Sequence, residues 1–219
     1  MDKKIIVTED GSNTIFVPSL NEHYHSTHGA IQESMHVFIK SGLREVAKSE
    51  ISIFELGFGT GLNAFLTAIE SEKLMIKVNY SSIEKYPLDS RITASLNYSE
   101  FFSHDRKTLF SKIHDCDWNQ RVDISDNFNI IKIKADIKEY YPEDNYDLIF
   151  FDAFGPDKQA DMWSNEIIYK IALSCNKGGL FITYSSRGEL KRQLKACNFS
   201  VDHIPGPPGK REITRATRL

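Results

Sequence analysis

Four carboxylates, each at the carboxyl end of a β-prone apolar run, hold the clearest chemistry in the sequence. Glu55 opens Glu55-Leu56-Gly57-Phe58-Gly59-Thr60-Gly61-Leu62-Asn63, in which glycines let a strand turn sharply into a helix and let a ligand approach with no Cβ in the way. A dinucleotide fingerprint would need its third glycine where Leu62 stands. A carboxylate beside the loop suits a cationic ligand or a ligand amine rather than a pyrophosphate. Glu84 follows Gly61 by 23 residues, close to the offset at which an acid meets ribose hydroxyls. Asp136 follows the next apolar run, where a carboxylate can accept from the exocyclic amine of adenine. Asp152 enters the turn Ala153-Phe154-Gly155-Pro156. Each acid alone reads as a cap or a solvated turn residue. Four of them in order at strand ends fit a ribose, an adenine, an amino-acid head and a sulfonium, which together are S-adenosylmethionine.

The elements that must position these residues alternate. Residues 51–56, 76–83, 128–133, 146–151 and 180–184 read as strands. Helices are expected at 62–69, from Pro87, at 107–114, at 165–173 and around Leu190 and Leu194. Gly178-Gly179 reads as a helix C-cap. Such alternation predicts an α/β, Rossmann-like domain with a mostly parallel sheet, helices on both faces and ligands at the carboxyl ends of the strands. Runs at 4–8 and 14–17 around the turn-rich residues 9–13 predict an N-terminal hairpin. Ile31, Met35, Phe38 and Ile39 predict a helix after it. Residues 1–45 are thus expected as a hairpin-and-helix extension on the 46–219 domain. A last hairpin is expected around Gly206-Pro207-Pro208-Gly209.

Composition narrows the class. The 219 residues are 41% hydrophobic and 26% charged, which suits one globular domain. No apolar run approaches the roughly 18 residues of a membrane span, and Met1-Asp2-Lys3-Lys4-Ile5 does not begin a secretory signal. Cys116, Cys175 and Cys197 are odd in number and widely spaced, so a reducing cytoplasm is expected and a disulfide framework is not. His23, His25 and His28 could be read as a metal site, but the chemistry above needs none. The net charge of −3 hides an asymmetry: from Arg187 onward eight basic residues face three acidic ones, which points to a polyanionic partner, although a solvated surface has the same pattern. No protein partner is implied.

Several motifs resemble one family. The glycine loop, Phe151-Asp152-Ala153-Phe154-Gly155-Pro156, Asp161-Met162-Trp163, Gly209-Lys210-Arg211-Glu212 and the segment from Tyr24 to Ser34 leading to Val37-Phe38-Ile39 are similar to the methyltransferase part of the MnmC enzymes that modify the tRNA wobble uridine. The likeness runs from about His23 to about Ala216. It implies a class I methyltransferase fold and methyl transfer from S-adenosylmethionine to the primary amine of 5-aminomethyl-(2-thio)uridine in tRNA. With no second glycine fingerprint, the chain resembles the stand-alone form (MnmD), without the flavin oxidase of the bifunctional members. By the same resemblance Glu55, Gly57, Gly59, Gly61 and Asn63 surround the methionine part, Glu84 holds the ribose, Asp136 the adenine, and Tyr24 and Phe38 help enclose the site. Asp152 lies beside the methyl group and the incoming amine.

An ordinary aspartate is a weak base, so Asp152 is expected to orient the amine and stabilise developing positive charge more than to remove its proton. Phe154, Trp163 and Tyr184 are candidates to stack on a splayed base. The turn ending in Pro156 is placed with the substrate, and Lys191, Arg192, Lys210, Arg211 and Arg215 with the RNA backbone. Two rival readings keep the same fold: a transferase acting on a small amine such as a polyamine, and a non-catalytic, cofactor-bound RNA-binding module.

Overall fold

A computed structural model describes residues 3–103 and 106–219. Met1 and Asp2, where the expected N-terminal extension begins, lie outside the described residues. The expected hairpin is present as β1 (Lys4–Val7) and β2 (Asn13–Val17), antiparallel, with a short third strand β3 (Glu22–His23) paired to β2. Helix α1 (Ala30–Ser34) continues as a π-helical turn, Met35–Lys40.

The main sheet contains β4 (Glu50–Leu56), β5 (Lys77–Glu84), β6 (Arg121–Ser125), β7 (Phe128–Lys134), β8 (Tyr146–Phe151), β9 (Cys175–Thr183), β10 (Phe199–Pro205) and β11 (Glu212–Arg218). Its order is β10-β11-β9-β8-β4-β5-β7-β6. The five strands from β9 to β7 are parallel, while β10, β11 and β6 run antiparallel to their neighbours. The parallel sheet and terminal hairpin are as expected. The antiparallel edge strand β6 was not anticipated, because Arg121-Val122-Asp123-Ile124-Ser125 is polar and only half covered. Gly178-Gly179 does not cap a helix. It lies within β9 where the register against β8 shifts between Tyr146 and Leu148, and Ser174 ends the preceding helix instead.

Helices α2 (Leu62–Leu74), α3 (Ser90–Thr93) and α4 (Arg106–Asp115) precede β6, and α5 (Asn165–Leu173) and α6 (Gly188–Ala196) follow β8. One core joins Ile53, Phe65, Tyr80 and Phe150 to Ile15, Phe38 and Leu43 of the N-terminal segment. A second joins Phe54, Ile149 and Phe181 to Ile168 and Leu194. Successive residues of β4 therefore face opposite cores, Ile53 one and Phe54 the other, as a strand buried on both sides must. Each such side chain contributes on the order of 1.5–3 kcal/mol by leaving water. Among the described residues no helix is long and apolar enough to cross a membrane.

From β4 the chain winds outward through β5 to β7 on one side, and β8 lies on the other side. The β4–β8 boundary is thus the switch point where ligands settle in sheets of this kind.

Candidate active site

The loops after β4 and β8 meet through backbone at that boundary. Asp152 N–H donates to Leu56 O at 3.0 Å, and Gly57 N–H donates to Ile83 O at 3.0 Å. Gly57 has φ +95°, and a Cβ there would come 2.7 Å from Asp152 O, so no other residue fits without parting the loops. Gly61, also left-handed, is the N-cap of α2 and lies behind the cleft wall against His114. The loops border a cleft of about 1080 Å³.

Six of the expected cofactor-side residues, Tyr24, Gly57, Gly59, Asn63, Glu84 and Asp136, line this cleft, together with Asp152. Glu84 accepts from Gly59 N–H (3.1 Å) and Tyr86 N–H (2.8 Å), so the acid ending β5 also shapes the glycine loop. Asp136 is bonded by Lys85 Nζ at 2.8 Å and by Lys138 N–H at 3.0 Å, and these partners hold its carboxyl below the usual range.

Asp152 is joined to a buried polar chain. Asn63 Nδ2 donates to Asp152 Oδ2 at 2.8 Å and to Glu55 Oε1 at 3.0 Å, and Ser82 Oγ donates to Glu55 Oε2 at 2.5 Å. Glu55 is 0% exposed and lies beneath the cleft floor rather than on its surface. Burial pushes the Glu55 carboxyl up to about 8. Asp152 opens on the cleft, yet desolvation by the surrounding walls, aided by the charge of Glu33, raises it to about 7. Asn63 and Lys210 act in the opposite direction.

The opposite wall comes from both ends of the chain. Tyr24 packs edge-on to Phe154 with centroids 4.9 Å apart, and both line the cleft. Tyr184 donates its hydroxyl to Ala153 O at 2.8 Å, beside Asp152. Lys210 lies inside the cleft rather than on the outer surface. Its Nζ is 2.5 Å from Glu33 Oε1 and 4.1 Å from the centre of the Tyr184 ring. Glu33 is buried and takes Ser26 N–H on its other oxygen at 2.7 Å. Sequence reasoning missed Glu33, which carries no local signal because its partner is 177 residues away.

Other expected site residues are placed elsewhere. Phe38 does not enclose the site. It is 2% exposed and packs on Phe150 at 5.0 Å, since the apolar stripe that contains it faces the core. Trp163 does not offer a stacking face: it is buried against Phe151, and its indole N–H donates to Phe154 O at 2.8 Å, which holds the Phe154 loop in place. Pro156 belongs to that loop but does not line the cleft. Arg215 is taken by Glu45 (2.7 Å) and Asp202 (3.4 Å), and Lys191 by Glu212 (2.8 Å). Arg192 and Arg211 are exposed. The three histidines do not converge. His25 is bonded to Thr60 Oγ1 at 2.7 Å, His28 to Glu9 at 3.1 Å, and His23 lies on Phe16 at 4.8 Å; no three-ligand metal group occurs among the described residues.

The residues present fit S-adenosylmethionine: a glycine loop with no Cβ at Gly57 and Gly59, and carboxylates lining the cleft at the carboxyl ends of β5, β7 and β8. A family model described as S-adenosyl-L-methionine-dependent methyltransferase matches residues 99–219. The tRNA 5-methylaminomethyl-2-thiouridine biosynthesis bifunctional protein MnmC of Campylobacter hominis is 30% identical over 212 residues, covering 92% of this chain and 31% of that protein. Its counterpart from Marinomonas sp. is 29% identical over 211 residues, covering 87% and 30%. The chain therefore spans about a third of the length of these curated relatives. The crystal structure of MNMC2 from Aquifex aeolicus superposes with a TM-score of 0.81 at 24% identity, over 98% of this chain and 70% of that one. Streptomyces venezuelae DesVI follows at 0.51 and 10% identity, over 86% and 92%, and these two likenesses bear on the fold alone. With more than half its length matched by that family model, the chain belongs to the S-adenosyl-L-methionine-dependent methyltransferase family.

Proposed function

We propose that this methyltransferase alkylates the primary amine of 5-aminomethyl-(2-thio)uridine at the wobble position of tRNA. The observation that carries the reading is Asp152: a desolvated carboxylate at the switch point, faced by Tyr24, Phe154 and Tyr184. The likeness of most of the chain to about a third of the MnmC proteins supports the choice of acceptor.

S-adenosylmethionine, when bound, supplies an electrophilic methyl group on a sulfonium. Gly57 and Gly59 would cradle its amino-acid end, Glu84 its ribose and Asp136 its adenine amine. Alignment of this kind can remove about 7–11 kcal/mol from the barrier. An aminomethyl group is mostly ammonium near neutral pH and must lose a proton before its nitrogen can attack. With its carboxyl raised to about 7, Asp152 is a much better matched acceptor of that proton than an ordinary aspartate. Base catalysis therefore joins orientation as its role, which revises the expectation drawn from residue type. Tyr24 and Phe154 offer ring faces and edges to a splayed base.

The test is mass spectrometry of wobble nucleosides after incubating the purified protein and S-adenosylmethionine with tRNA that carries the aminomethyl group. A gain of one methyl on that nucleoside, with free polyamines unmodified, is expected. Methylation of polyamines with the tRNA untouched would favour the small-amine reading, and no consumption of the donor would favour the non-catalytic one.

A further inference from the structure

We propose that Asn63, anchored from below by Glu55 and Ser82, is the positioning residue for the Asp152 carboxylate and the acceptor amine, and that neither Asn63 nor Glu55 is a ligand of the methyl donor. This rests on the amine-methylation reading.

The hydrogen bonds of Asn63 divide its roles. An amide nitrogen has two N–H groups, and both are used, one on Glu55 Oε1 and one on Asp152 Oδ2. Nothing remains on that nitrogen to donate to a donor carboxylate. Its Oδ1 is buried and has no partner among the described residues, an expensive condition unless an N–H arrives. An ammonium seated on Asp152 brings such N–H groups. Asn63 would thus hold the carboxylate with its nitrogen and the amine with its oxygen.

Glu55 suits the anchoring role because it is sealed. It is 0% exposed, its two oxygens take Asn63 and Ser82, and Tyr80 of β5 lies beside it. Held up at about 8 by burial, it is largely neutral near pH 7, so it fixes the amide without adding a second full charge beneath Asp152. The other groups facing Asp152 are Glu33 from α1, Lys210 from the β10–β11 turn and Tyr184 beyond β9. Of these, Glu33 and Lys210 pair with each other, which leaves Asn63 as the group bonded directly to the carboxylate.

Asn63→Ala removes the bond that favours the Asp152 anion, so the acid limb of the pH profile for kcat/KM is expected to move upward by about one pH unit, with a roughly fivefold loss at pH 7. Affinity for S-adenosylmethionine, measured by calorimetry, should change less than about threefold on the scale where tenfold is 1.4 kcal/mol. Glu55→Leu leaves Asn63 in place but takes away its anchor. It should move the limb the same way by a smaller amount, which keeps the test available if Asn63→Ala does not fold. A tenfold loss of donor affinity with an unmoved limb in either variant would overturn the proposal and make these residues cofactor ligands. Carbon-13 NMR titration of the Asp152 carboxyl in the protein alone reads the same shift with no acceptor present, so failure of the wobble-uridine reading and failure of this inference remain distinguishable.

Discussion

Asp152 and Glu55 show how a functional residue differs from a structural one of the same type. Both carboxyls have hydrogen-bond partners and both are raised by desolvation, but Glu55 is sealed whereas Asp152 is half-buried and opens on the cleft. Their raised values are a liability in stability. In the unfolded chain such acids ionise near pH 4, whereas the folded protein retains their protons up to about 7 and about 8. Between those limits the folded state binds more protons, so stability falls as pH rises through the window. Asp152→Asn should therefore do two things. It should cut turnover at least about 100-fold, the scale for a lost general base. It should also raise the melting temperature more at pH 8 than at pH 5, since the asparagine does not ionise. Equal melting shifts at both pH values would mean that Asp152 is not a desolvated acid in the folded protein. The spacing of the acids made Asp152 legible in the sequence, but not this behaviour. The groups that surround it, at residues 33, 63, 184 and 210, are brought together only by the fold.

At the scale of elements, the hydrophobic pattern located the parallel strands because each is buried on both faces and reads as an apolar run. It missed β3, which has two residues, and β6, whose edge position leaves it polar. It predicted one helix through Ile31, Met35, Phe38 and Ile39, which the fold divides between α1 and a π-helical turn, and it could not distinguish the core side from the cleft side: Phe38, expected at the site, faces the core instead. The glycine loop is the element in which sequence and geometry agree most closely, and Gly57 can be tested against Gly155. At Gly57 the positive φ and the 2.7 Å approach to Asp152 O both oppose a side chain. At Gly155 the nearest atom is Tyr184 Oη, at 3.8 Å. Gly57→Ala should destabilise the protein by about 1–3 kcal/mol in denaturant melts and sharply weaken donor binding, because the β4 and β8 loops must separate. Gly155→Ala should be close to neutral in the same melts. Similar melts for the two variants would show that the loops can part freely.

Over the whole molecule, charge is where the sequence misleads most. The eight basic residues from Arg187 onward suggest a docking surface for RNA. In the fold Arg187 pairs with Asp157, Lys191 with Glu212, Lys210 with Glu33, and Arg215 with Glu45 and Asp202, while Arg218 donates to Cys197 O. Ion pairs at the surface add little stability, but they cancel the field that a polyanion would feel. Arg192, Lys195 and Arg211 are exposed and have no ion pair among the described residues. Each phosphate neutralised contributes about 0.7–0.9 to the slope of log affinity against log salt. Three contacts from this segment give a slope of about −2 to −3, whereas all eight would give about −6 to −7. Fluorescence anisotropy of tRNA binding across a salt series measures the slope directly. Replacing Arg192, Lys195 and Arg211 together by alanine should flatten it by about 2–3, while Arg215→Ala should leave it unchanged because that guanidinium already faces two carboxylates. A slope that stays steep in the triple variant would move the RNA surface away from this segment and onto the basic residues at the cleft mouth, Lys3 and Lys158 among them.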